Sequence, residues 1–237
     1  MITFAMNSDI PILKKIWKEI FHDEDWYLDD FFRTYFKEGK SCLIWKEDDK
    51  IVAMLHMIPY TYRICPHENK NAIYLYALAT LEEYRGKGIM DALILEAFGS
   101  AGDSGEVSFL LIAASEELIR YYKKRGFQRL HYGSAYADPE QKHISMDHIS
   151  TVQNEPDYTG FLFREEDMLF YLRTLLQEHT EDGNQKSGLN DPRVSLYLSQ
   201  DYTRRLEPLS FAMIRTKDEV LFLEQGIRMT DLWMMPL

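Results

Sequence analysis

An apolar segment with strand periodicity, Ala72 to Thr80, runs into Glu83-Tyr84-Arg85-Gly86-Lys87-Gly88-Ile89-Met90, and a helix-period segment follows from Gly88 to Phe98. This stretch restricts the backbone more than any other in the chain. Gly86 and Gly88 let the backbone come close to an anion. The helix behind them begins with N–H groups that lack intrahelical partners and sit at the positive end of the macrodipole. Strand, glycine turn and helix start together form a cradle for an anion, phosphate above all. Arg85 and Lys87 add positive charge to it. Two nucleotide-binding patterns do not fit. A Walker loop, G-x-x-x-x-G-K-[ST], is absent, and the third small residue of a dinucleotide fingerprint is replaced by Asp91.

The segments around the turn alternate between strand and helix. Ile2 to Met6 reads as a short strand. Asn7 or Ser8 caps a helix with Pro11 in its first turn, which carries Ile12, Leu13, Ile16, Trp17 and Ile20 on one face to about Phe21. Trp26 to Phe36 is a second, aromatic-rich helix. Ser41 to Glu47 and Ile51 to Ile58 form a hairpin about Asp48-Asp49-Lys50. Strand periodicity resumes over Tyr60 to Cys65 and, after the polar stretch His67 to Asn71, over Ala72 to Thr80. In the helix after the turn, Ile89, Met90, Leu93, Ile94 and Ala97 make one apolar stripe that ends at Gly99 and Gly102.

Val107 to Ala113 is an almost wholly apolar run of strand length, as expected for a strand buried on both faces. Ser115 then caps a helix whose charges follow the macrodipole, with Glu116 and Glu117 in the first turn and Lys123, Lys124 and Arg125 in the last. Gly126 closes that helix, and Phe127 to Tyr132 reads as a strand. The polar, irregular stretch Tyr136 to Glu155 marks a boundary. Beyond it are a strand near Phe161, a helix from about Glu165 to Glu178, strands at Val194 to Leu198, Phe211 to Arg215 and Val220 to Leu223, and an apolar, Met-rich tail from Ile227.

Composition removes several classes of function. The net charge of -11 opposes general nucleic-acid binding, which requires a basic face. Cys42 and Cys65 are too few for a disulfide framework, and no His, Cys or carboxylate cluster has metal-ligand spacing. The start of the chain has no basic, apolar leader, and no segment reaches the length of a membrane span, so a cytoplasmic protein without membrane association is expected.

Two motifs in order carry a resemblance. Glu83-Tyr84-Arg85-Gly86-Lys87-Gly88 and Tyr122-Lys123-Lys124-Arg125-Gly126-Phe127, each between the appropriate elements, resemble the GNAT superfamily of N-acetyltransferases. Their pattern is R/Q-x-x-G-x-G/A, then a Tyr four residues before a Gly-Phe pair; Glu83 departs from it at the first position. Met54 to Tyr60, Tyr74 to Met90, Ala113 to Tyr122 and the ending Gly226 to Leu237 are similar to the enhanced-intracellular-survival branch. The resemblance implies an α/β (α+β) fold with a mixed, mostly antiparallel sheet flanked by helices. It further implies a GNAT domain over residues 1–140 and, over 141–237, a smaller α/β region akin to a degenerate second copy. A sterol-carrier-like third domain found in some members of that branch has no room in this sequence.

The same resemblance implies acetyl-CoA as acyl donor. Arg85, Gly86, Lys87, Gly88, Ile89 and Met90 match its pyrophosphate cradle. Leu78, Ala79 and Thr80 match the strand whose backbone pairs with the pantetheine arm, and Ser115 and Glu116 match a further contact. Tyr122 matches the proton donor to the departing thiolate. In the related branch the C-terminal carboxylate, here that of Leu237, reaches the active site. His56 is either a base or an enclosed sheet residue, and the second fits its strand setting better. Trp26, Tyr27, Phe31 and Phe32 match the acceptor wall, although aromatics at that spacing also build cores.

The expected reaction is direct acetyl transfer to a primary amine, either a small molecule or a protein lysine. A catalytically silent CoA-binding sensor is the alternative, and transfer of a longer acyl group is a third reading. A homo-oligomer is compatible with the many aromatics.

Overall fold

In the computed structural model of the chain, the described residues are 1–65, 68–101, 107–129, 160–162, 164, 166–167, 169–170, 173 and 212–215. They fall into two compact units. The first comprises Met1–Tyr60, Asn71–Gln128 and Met213–Lys217; the second comprises Thr61–Lys70, Arg129–Ala212 and Asp218–Leu237.

In the first unit, β1 (Ile2–Phe4) pairs antiparallel with β2 (Cys42–Glu47), which pairs antiparallel with β3 (Lys50–Cys65). Asp48 and Asp49 form the β2–β3 turn with φ of 45° and 62°, the doubly positive pattern that matches strand twist. Only two residues separate β3 from its neighbour β4 (Glu68–Thr80), so these strands also run antiparallel. β4 then pairs parallel with β5 (Val107–Ile112) across a helical crossover. The order is β1-β2-β3-β4-β5-β8-β6, with β6 at Gln128–Arg129 and β8 at Ala212–Arg215. The sheet is mixed and flanked by helices, as the sequence implied.

Three local readings change. β3 is one strand and passes through Pro59; its β2 ladder has ended at His56, so the missing N–H falls past that pairing. β4 begins at Glu68, because partner strands recruit residues too polar to announce a strand themselves. The strand expected at Phe211 to Arg215 lies between β5 and β6 in the first unit's sheet rather than in the C-terminal region.

The helices are α1 (Ile10–Phe21), α2 (Asp25–Tyr35), α3 (Ile89–Ser100) and α4 (Glu116–Lys123). A 3-10 turn over Asn7–Asp9 precedes α1, so Asp9 rather than Asn7 or Ser8 stands before its first residue. Leu13, Ile16 and Trp17 of α1 and Leu28, Phe31 and Phe32 of α2 are buried. Each such side chain contributes about 1.5–3 kcal/mol of apolar burial. Trp17 is the hub, with ring contacts to Phe31 at 4.6 Å, His56 at 5.4 Å and Tyr76 at 5.6 Å, and its indole N–H donates to Asp23 at 2.7 Å. In α3, Ile89, Leu93, Ile94 and Ala97 of the expected stripe are buried, while Met90 is half-buried.

In the second unit, Thr61–Arg63 of β3 pair antiparallel with β7 (Gly160–Leu162). Residues 166–167, 169–170 and 173 are helical, within the expected helix. Buried Asp167 accepts from Arg164 through Nε at 2.9 Å and Nη2 at 2.8 Å, and from the Arg164 backbone N–H at 2.9 Å. Val194 to Leu198, Val220 to Leu223 and the tail from Ile227 lie outside the described residues.

Candidate active site

The glycine turn is left-handed at both of its glycines. Gly86 and Gly88 have φ of +74° and +76°, and nothing lies within 4 Å of where a Cβ would stand on either. Conformation, not crowding, therefore requires glycine, and the space above both is open. Gly88 is the N-cap of α3 with no side-chain cap, which leaves the first N–H groups of the helix without a side-chain acceptor. Gly86, Lys87 and Gly88 are exposed and Met90 is half-buried, whereas Ile89 points into the core. Arg85 donates through Nε to the carbonyl of Thr80 at 3.0 Å, clipping the turn to the end of β4.

Glu83 points away from an anion-binding role. A backbone hydrogen bond, joined by the 3.3 Å bond from Lys50 Nζ, holds its carboxyl below the usual carboxylate range. Lys50 and Lys87 both lie over the Tyr84 ring, at 5.3 and 4.7 Å from its centroid.

The two parallel strands diverge beside this turn. The β4–β5 register runs from Asn71–Val107 to Tyr74–Leu110 and stops, although β4 continues to Thr80 and β5 to Ile112. Ala77, in the part of β4 beyond its register with β5, has φ +47°. A left-handed residue inside a strand is the mark of a bulge, and for alanine it costs about 1–2 kcal/mol. The β5-facing edge at Leu78, Ala79 and Thr80 is therefore open to an extended, amide-bearing ligand. Thr80 Oγ1 is buried without a hydrogen-bond partner among the described residues, an atom whose need a bound polar group would meet. An elongated amide with a phosphate at one end fits this wedge and cradle.

The second motif is built at the end of α4. Ser115 caps this helix by accepting from the Leu118 N–H at 3.3 Å; half-buried Ser115 and exposed Glu116 thus stand at its start. At the other end the Phe127 N–H donates to the Tyr122 carbonyl at 3.2 Å and the Gly126 N–H to that of Lys123 at 3.1 Å, with Gly126 at φ +83°. This is a Schellman cap with its usual apolar partner, since the Phe127 and Tyr122 rings lie 5.9 Å apart. Tyr122 is 6% exposed. Burial pushes its phenol up to about 12, and the nearby Arg125 charge acts in the opposite, acidifying direction. Its hydroxyl makes no hydrogen bond among the described residues.

His56 is an enclosed sheet residue. It is 1% exposed, with Phe31 and Phe32 rings at 5.1 and 5.4 Å and Cys42 Sγ 3.7 Å from its Nε2. Burial drives its pKa down to about 3, so it stays neutral and has no route to a reacting proton. Of the residues matched to the acceptor wall, Tyr27, Phe31 and Phe32 are core side chains, while Trp26 is half-buried with an indole N–H that lacks an acceptor. The Tyr27 and Tyr76 hydroxyls share a 2.7 Å hydrogen bond. Leu237 lies outside the described residues.

Sequence reasoning missed one cluster. Asp91, on the first turn of α3, accepts from Tyr121 and Arg125 of the α4 region. Its only trace in the sequence was an acidic residue where a small one would suit a dinucleotide loop. Among the described residues, no group of three or more His, Cys, Asp or Glu side chains could hold a metal, and no helix is long and apolar enough to cross a membrane.

A family model described as an acetyltransferase (GNAT) domain matches residues 2–130. None of the curated proteins matches the sequence. Among solved structures, the chain is similar to a GCN5-related N-acetyltransferase from Kribbella flavida, with TM-score 0.54 and 12% identity over 72% of this chain and 49% of that one. It is similar to Eis1 from Mycobacterium abscessus, with TM-score 0.51 and 11% identity over 93% of this chain and 67% of that one. A GCN5-related N-acetyltransferase from Anabaena variabilis matches with TM-score 0.47 and 19% identity over 54% of this chain and 32% of that one, so this chain spans about a third of its length. At these identities the likeness is one of fold.

Proposed function

Since the chain belongs to the acetyltransferase (GNAT) domain family, we propose that it transfers an acetyl group from acetyl-CoA directly to a primary amine, with Tyr122 as proton donor. The observation that carries this reading is the β4–β5 divergence, which opens beside the uncapped start of α3. Residues Arg85, Gly86, Lys87, Gly88, Ile89 and Met90 would hold the pyrophosphate through backbone N–H groups and cationic side chains. Leu78, Ala79 and Thr80 would bind the amide-bearing arm along their open edge, and an N–H there can polarise a carbonyl as an oxyanion donor does. Ser115 can add a hydroxyl donor, because its oxygen accepts from the α4 backbone and leaves its proton free. Acetyl-CoA supplies an acyl carbon activated as a thioester.

Tyr122 enters as a donor. A phenol at about 12 keeps its proton on Oη across the neutral range, and a departing thiolate gains from it. Burial alone weakens that acid, so the opposing charge of Arg125 acts in the useful direction. Direct transfer, without a covalent enzyme intermediate, needs no thiol nucleophile, and Cys42 is buried in the sheet and held protonated by desolvation.

The resemblance of Met54 to Tyr60, Tyr74 to Met90 and Ala113 to Tyr122 to the enhanced-intracellular-survival branch favours a place near it, and both small amines and protein lysines suit the chemistry. The test is thiol release from acetyl-CoA with a panel of amines. Amine-dependent release supports the proposal, whereas CoA binding with no release on any amine points to a sensor.

A further inference from the structure

Asp91, Tyr121 and Arg125 join the start of α3 to the end of α4. Oδ1 of Asp91 accepts from the Tyr121 hydroxyl and from Arg125 Nε at 2.7 Å, and Arg125 Nη2 closes on the same oxygen. Arg125 Nη1 donates to the Tyr121 carbonyl at 2.5 Å, and its guanidinium carbon lies 3.4 Å from the Tyr121 ring centroid. Tyr121 is thus held at ring, hydroxyl and carbonyl by one arginine and that arginine's partner. The next residue is Tyr122, whose hydroxyl makes no hydrogen bond among the described residues and whose ring packs 5.1 Å from that of Tyr121.

The network lies outside the apolar core. The side chains of Arg125 and Asp91 are 20% and 41% exposed, so the pair is part-buried and still reached by solvent, which screens its contribution to stability. Two hydrogen bonds and an ion-pair contact converging on one oxygen, with a stacked guanidinium, instead impose geometry. What they fix is the distance between the glycine cradle, one residue before Asp91, and the helix that carries Tyr122.

We propose that Arg125 is a positioning residue for acetyl transfer, setting Tyr122 relative to the α3 cradle through Asp91 and Tyr121. This rests on the acetyltransferase reading above. An arginine that acts only through Tyr122 has nothing left to act on once the phenol is gone, whereas one that merely supports the fold costs the same in either background.

The experiment measures turnover by thiol release and CoA affinity by calorimetry for wild type, Arg125→Gln, Tyr122→Phe and the double variant. Arg125→Gln is expected to lower kcat by about tenfold, to leave CoA affinity within about twofold, and to add no loss to Tyr122→Phe. Unchanged kcat, or an equal fractional loss in both backgrounds, overturns the proposal. If Arg125→Gln does not fold, Tyr121→Phe removes a single hydroxyl and carries the same test, with a smaller loss confined to the background that retains Tyr122. Two further results separate this inference from its premise. No amine-dependent release by wild type removes both, whereas transfer that Tyr122→Phe leaves unchanged removes the roles of Tyr122 and Arg125 and leaves acetyl transfer standing.

Discussion

The backbone N–H of Phe127 donates to the carbonyl of Tyr122 at 3.2 Å, which ties the two ends of the second sequence motif into one helix cap. The spacing of Tyr, Gly and Phe thereby acquires a mechanical reason. Gly126 turns the chain in the left-handed region, Phe127 returns to pack on the Tyr122 ring, and the phenol is fixed at the last turn of α4.

Gly126→Ala strains that cap twice. The residue sits at φ +83°, and a Cβ there would stand 3.1 Å from Arg215 Nε, whose guanidinium carbon lies 3.9 Å from the Phe98 ring centroid. The expected loss is about 1–2 kcal/mol of stability from the backbone alone, with turnover reduced as Tyr122 loosens. Urea unfolding and thiol-release kinetics on the same preparation check both parts. Wild-type stability in the variant would mean that the cap is not strained by a side chain.

Gly88→Ala separates conformation from space. Nothing lies within 4 Å of its would-be Cβ, so the cost of about 1–2 kcal/mol comes from φ +76° at the start of α3. The amides of the cradle shift with it, so CoA binding should weaken by at least severalfold, about 1 kcal/mol. Calorimetric titration of CoA into both proteins checks this, and equal affinity would remove the turn from the binding site.

His56 gives a pH signature in stability. Its ordinary pKa of 6.5 falls to about 3 in the fold because burial disfavours the charged ring. Below about pH 6.5 the unfolded chain takes up a proton that the native state refuses. The stabilisation is complete above that pH and is lost as the pH falls towards about 3, by about 1.4 kcal/mol per pH unit. Urea unfolding at about pH 7.5 and about pH 5.5 should show wild type losing about 1 kcal/mol more than His56→Phe. Equal losses would mean that His56 is solvated enough to titrate in the native state.

The sequence made the local features legible. Gly86, Gly88, Gly126 and the Ser115 cap are read from the residues that need or supply them, and the α3 stripe follows from its period. Features that depend on distant partners were not legible. β8 enters the sheet beside β6 from more than eighty residues further along the chain. Ala77 carries no sign that it will adopt a glycine-like φ, because only the divergence of β4 from β5 demands it. Arg125 reads locally as a helix C-terminal charge, and its bond to Asp91 appears only once α3 and α4 are packed.

Tyr122→Phe tests the central claim most directly. It removes one oxygen from the buried phenol and leaves the ring packed against Phe127. With acetyl-CoA and a productive amine, thiol-release turnover should fall by about 10²- to 10⁴-fold while CoA affinity stays within about twofold. Turnover equal to wild type would contradict the assignment of Tyr122 as the proton donor.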